Sequence, residues 1–210
     1  MTEQKHQNTE LLELGCSNFE IEEGQPDIRG WMVKNYEGHR IGKVEELLFN
    51  PTSCSVRYII IEVDKDSYNI DEDKKILVPI GAADLYDDRL QYKNESNSSS
   101  PATNNRSYNP LSDGKVVIVP ISMRHIMQLP EYLTDSINPE TEMLIRNIYL
   151  GNKDITSIQA SAPYDPNEFY NHYHFDQDRF YDGKQLSSVE SLTSRSEQPK
   201  SRIRQRCDEA

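Results

Sequence analysis

The chain has 210 residues, 35% of them hydrophobic, with a formal charge of -12 and a mean hydropathy of -0.78. That length allows one core domain with extensions or two small ones, and the low apolar content leaves part of the chain outside any packed core. So anionic a surface repels phosphate, which excludes nucleic acid and a bare anionic membrane from the expected partners.

Residues 1–26 are polar and acidic, interrupted by Leu11, Leu12 and Leu14, and are expected to form a loose arm. They hold no apolar core of a signal peptide, and no run in the chain is long and apolar enough to predict a membrane span. From residue 27 the pattern becomes that of strands. Trp31 and Val33 alternate with Met32 and Lys34, the period of a half-buried strand. Glu37-Gly38 marks a hairpin turn, because glycine takes a positive φ without strain. A second strand is expected over residues 40–49, with Gly42 at a bulge or a close backbone approach, and Asn50-Pro51 ends it.

Residues 55–64 are rich in β-branched and aromatic side chains and read as the central strand. A charged loop leads to a strand over residues 75–80. A helical or turn segment begins at Ala82, and a further strand is placed at residues 89–92. Residues 94–114 are dominated by Ser and Asn and contain two prolines, which predicts a mobile loop inserted between strands. The last strand is read over residues 115–121.

After Ser122 the period changes to that of a helix. Ser122 caps a short helix that Pro130 ends. Asn138 and Pro139 start another, in which Leu144 and Ile148 share a face, as do Ile145 and Tyr149; Gly151 stops it. Residues 164–181 concentrate seven aromatics, Tyr164, Phe169, Tyr170, Tyr173, Phe175, Phe180 and Tyr181. From residue 182 the chain is polar, with a basic end, and is expected to be disordered.

The candidates for chemistry are few. His172, His174, Asp176 and Asp178 alternate, so a strand would place them on one face, and a helix would make His172 and Asp176 neighbours. Either arrangement can offer transition-metal ligands; the plainer reading is the polar edge of an aromatic docking segment, and no metal is assigned. Asp64, Asp66, Asp71 and Asp73 depart from a calcium loop, since Tyr68 takes a ligand position and Asn69 replaces the required glycine. Cys54 and His39 both lie in turns, and their spacing alone does not make a nucleophile–base pair. His125 reads as a helix-face or cap residue. Trp31, Tyr36 and Tyr58 read as core or rim residues. No phosphate loop, dinucleotide fingerprint or nucleophile elbow is present, so no cofactor and no enzymatic activity are expected. The cysteines Cys16, Cys54 and Cys207 are odd in number and lack a CxxC, which fits a reducing cytoplasm.

Arg29-Gly30, Val33, Glu37-Gly38, Ile41-Gly42-Lys43-Val44, Leu47, Val56-Arg57-Tyr58, Val78-Pro79-Ile80-Gly81 and residues 117–120 together resemble the PRC-barrel family. This is the small β-barrel of the photosynthetic reaction-centre H subunit and of the ribosome-maturation factor RimM. The resemblance implies a mainly β fold, a small PRC-type barrel with a short helical and aromatic C-terminal extension, α+β overall. The expected organisation is an arm over residues 1–26, a barrel over 27–130 with the insertion at 94–114, an extension over 131–181 and a tail over 182–210.

In both family contexts the barrel docks onto a larger assembly. The resemblance therefore implies a bacterial, non-catalytic adaptor module that binds a protein partner, with a homodimer as a second mode. Membrane association is expected only through such a partner. The residues expected to meet the partner are Tyr164, Phe169, Tyr170, Tyr173 and Phe175. The missing membrane helix and the missing RimM-type N-terminal domain separate the chain from both founding roles. The alternative function is a stress-related metal- or small-ligand-binding protein using His172 and His174.

Overall fold

The structure is a computed structural model that describes residues 11–68, 73–87, 115–134, 136–150, 164–182 and 202–206. Its centre is an antiparallel meander of β3 (Met32–Asn35), β4 (Arg40–Asn50), β5 (Ser55–Val63) and β6 (Lys75–Pro79). The expected turns carry it. Asn35 Oδ1 accepts the Glu37 and His39 N–H groups at 3.0 and 2.8 Å, and Gly38 has φ 86°. At the next turn Asn50 Oδ1 accepts from Thr52 and Ser53, and Cys54 closes the turn at φ 49°. Gly42 is a close approach: a Cβ there would stand 1.9 Å from the Glu62 carbonyl oxygen. The ladder between β4 and β5 shifts register at Val44/Glu46 and again at Leu48/Phe49, and such bulges increase the local coil of a sheet.

A short helix, α1 (Lys65–Tyr68), follows β5. After β6 a 3₁₀ turn, Ile80–Ala82, leads to β7 (Asp84–Asp87). β8 (Lys115–Val119) pairs antiparallel with β7 and parallel with β3, giving the order β6-β5-β4-β3-β8-β7. Laid flat, six strands ~4.8 Å apart would separate the two edges by ~24 Å. The five steps from Pro79 to Asp84 reach at most ~17 Å, so the sheet curls and brings β6 and β7 towards each other. The path remains open in hydrogen bonding, because β6 and β7 do not pair. β5 is buried along nearly its whole length, with Ile60 and Ile61 both in the core, so both faces of this strand are covered.

Several expectations need correction. Within the supposed loose arm, β1 (Leu12–Glu13) pairs with the second half of β4, Leu14 is buried, and β2 (Phe19–Ile21) forms a second small sheet. Its partner is β9 (Ile203–Gln205), which lies in the stretch expected to be a disordered tail. Polar composition concealed this strand, because it needs one apolar anchor, Ile203, while its neighbours pair with acids. Arg204 meets Glu20 at 2.9 Å. The strand after the 3₁₀ turn lies at Asp84–Asp87, earlier than expected; residues 89–92, the insertion 94–114 and Gly151 lie outside the described residues.

Helix α2 (Met123–Gln128) follows β8, and the extension consists of α3 (Pro139–Tyr149), α4 (Pro166–Tyr170), a 3₁₀ turn Tyr173–Phe175 and α5 (Gln177–Asp182). It packs back on the sheet. Phe169, Tyr170, Phe175, Phe180 and Tyr181 are all buried in the common core. The Phe175 ring stands edge-on to Tyr58, 5.3 Å between centroids. Gln177 accepts the Val56 N–H at 2.9 Å, and the Tyr132 N–H bonds the Lys75 carbonyl at 2.8 Å.

Candidate functional site

Helix α3 carries a carboxylate to the sheet. The Asn138 side chain accepts the Thr141 N–H at 2.9 Å and Pro139 occupies the first turn, which sets the helix phase. In that phase Glu142, Ile145 and Ile148 share the buried face. Glu142 Oε1 accepts from the Tyr58 hydroxyl at 3.0 Å and from the Tyr170 hydroxyl, and its Oε2 accepts from the Tyr164 hydroxyl. Burial pushes the Glu142 carboxyl up from its ordinary value, while the three donating hydroxyls pull it down. Burial first, then the neighbouring Glu142, holds the three phenols well above their ordinary range, so they remain donors. One carboxylate thereby ties β5, α3 and α4 together.

Two guanidiniums border this knot. Arg57 lies over the Tyr170 ring at 4.6 Å and Arg146 over the Phe169 ring at 4.7 Å; the two ring centroids are 5.2 Å apart. Burial lowers Arg57 from its ordinary value. Beside them stand His172 and His174, with ring centroids 4.7 Å apart. His174 is only 4% exposed, and its Nδ1 has no hydrogen-bond partner. Burial, then the neighbouring His172, Arg179 and Arg146, lowers His174 to about 4.

Arg179 fastens the extension to the rim of the sheet. It donates to the Gly81 carbonyl, lies 3.4 Å from the Ala83 carbonyl, and meets Asp84 at 3.3 Å. Asp84 also accepts the Tyr36 hydroxyl at 2.8 Å. Gly81 permits the approach, since a Cβ there would be 2.2 Å from the Tyr173 carbonyl oxygen.

The expected site residues scatter among these roles. Asp176 Oδ1 accepts the Asp178 and Arg179 N–H groups, and Asp178 pairs with Arg202 at 2.9 Å in a nearly sealed position. The two aspartates are therefore engaged as a helix cap and an ion-pair partner, and only the two histidines lie side by side. Among the described residues no three metal-ligating side chains converge. Of the aromatics expected to meet a partner, Phe169, Tyr170 and Phe175 are buried and Tyr164 is half-buried, because the chain's own sheet takes their rings. Tyr173 stays 37% exposed.

The turns of His39 and Cys54 lie at opposite ends of the 11-residue β4, which separates them by about 30 Å. Asp64 pairs with Arg40 and Asp73 with Lys65; Asp71 and Asn69 lie outside the described residues. His125 is a cap, its Nδ1 accepting the Ser122 N–H at 3.3 Å. Trp31 and Tyr58 are core residues, and Tyr36 lies on the rim. The residues that sequence reading missed are Arg57, Glu142, Arg146 and Arg179. The one available signal was Glu142, a charge three residues before Ile145 on the apolar face of its helix.

No helix among the described residues is long and apolar enough to cross a membrane. No curated protein matches the chain. The family comparison speaks to the domain as a class and does not single out the reaction-centre or the RimM barrel. It ends before β8 and the extension, so Glu142, Arg146 and Arg179 stand outside it. Residues 20–95, which contain the curled meander of β3 to β6, match the PRC-barrel domain.

Proposed function

We propose that the chain is a non-catalytic docking module whose barrel and extension present one protein-recognition face around Tyr36 and Tyr173. The observation that carries this reading is the exposure of these rings, 58% and 37%, beside the Asp84–Arg179 link. The link joins the β3–β4 hairpin, the start of β7 and the extension, so the rings are offered on a braced rim. Braced aromatics bind at low entropic cost and are frequent anchors of protein interfaces. The polar groups gathered nearby are engaged in holding the extension, which favours recognition over chemistry. A larger assembly of the cytoplasm is the partner we have in view.

Photo-crosslinking tests the reading. A benzophenone amino acid in place of Tyr36 or Tyr173, in cells of the source organism, should give a discrete heavier adduct. The same probe at Leu133, which is exposed on the segment after α2, should not. Equal labelling from Leu133, or no adduct at either ring, overturns the proposal. An adduct of twice the chain mass would identify a second copy as the partner.

A further inference from the structure

The geometry points to an oxyanion-binding site at Arg57 and Arg146, suited to a phosphate monoester or inorganic phosphate. Both side chains are half-buried, and both place a guanidinium face on an aromatic ring, at 4.6 and 4.7 Å. Stacking uses the face and leaves the planar fork of N–H donors at the edge, the part that grips a carboxylate or phosphate in a bidentate manner.

That fork is unused in both residues. Among the described residues neither guanidinium has a carboxylate or carbonyl acceptor, and each Nε is buried without a partner. The adjacent Glu142 accepts the hydroxyls of Tyr58, Tyr164 and Tyr170, and its charge acts on Arg57 without a hydrogen bond or ion pair between the two. The two supporting rings are neighbours in sequence and in space, so the two cations border one region. His174, nine-tenths buried, adds an Nδ1 without a partner, and the charge of Arg146 reaches both His172 and His174. In a chain of charge -12, two ring-stacked guanidiniums that form no ion pair among the described residues are an exception that a bound dianion would resolve.

The test uses the full chain and inorganic phosphate at constant ionic strength. Nitrogen-15 spectra should show two arginine Nε–H resonances that shift saturably with phosphate, and chloride should leave them unmoved. Arg57→Gln and Arg146→Gln should each weaken phosphate binding at least tenfold, with amide spectra reporting the fold. Should either variant fail to fold, the wild-type titration still decides. A phosphoserine peptide that binds more tightly than phosphate would identify a presented group, and equal affinity a free anion; both support the site. Shifts that grow linearly with phosphate, are matched by chloride, or persist in the glutamine variants overturn it.

Discussion

Glu142 is an acidic residue in a helical first turn, where the helix dipole alone accounts for it. Its neighbours give it a different task, since three phenols converge on its two oxygens. Glu142→Ala removes the acceptor and leaves buried hydroxyls unsatisfied, which should cost about 2–5 kcal/mol in denaturant melts. An unchanged midpoint would show that water replaces the carboxylate without loss. His174 supplies a pH dependence. In the folded chain it stays neutral down to about 4, whereas the unfolded chain protonates near its ordinary 6.5. Acid thus favours the unfolded form, and the stability this residue contributes, complete above 6.5, falls away between 6.5 and 4. Glu142, shifted upward, works in the opposite sense, so the comparison has to be made with a variant. Thermal midpoints should drop more steeply over that interval in the wild type than in His174→Gln, and parallel curves would refute the assignment.

The β7–β8 pairing makes the long insertion removable in principle. Asp87 lies directly opposite Lys115 in the antiparallel ladder, so a two-residue turn can connect them. Replacing residues 88–114 by Asn-Gly should leave the thermal midpoint within a few degrees, because closure entropy grows only slowly with loop length. Loss of cooperative unfolding would show that the segment is structural. β9 makes the converse case. Arg202 is 3% exposed and is paired with Asp178, and Ile203 lies in the core. A chain ending at residue 201 breaks the nearly sealed Arg202–Asp178 ion pair and unpairs β2, at a cost of about 3–5 kcal/mol. Hydrogen exchange should then accelerate at Glu20 and Ile21, and unchanged protection there would exclude the pairing.

As a whole, the molecule is a sheet that does not cover itself. The extension supplies the missing layer, and each large side chain it buries contributes about 1.5–3 kcal/mol. A chain truncated after Pro130 should expose that face and aggregate, as judged by light scattering; a soluble and equally stable fragment would show that the extension is only an appendage. Because the contact is within one chain, the midpoint of the full-length protein should not depend on its concentration.

The sequence by itself determined what is local. Asn35 and Gly38, Asn50 and Pro51, Gly42, Ser122 and Asn138 set turns, a close approach and helix starts through their own φ preferences and side-chain acceptors. The β-branched run of β5 set the central strand. Of the two aspartates read as ligand candidates, Asp176 is a local cap of α5, and Asp178 became an ion-pair partner only because α5 meets Arg202 from the far end of the chain. The tertiary structure alone decided which polar residues meet across large separations, Tyr58 with Glu142, Arg179 with Asp84 and β2 with β9. Those contacts depend on how the curled sheet brings distant segments into register, and no spacing along the chain encodes that distance.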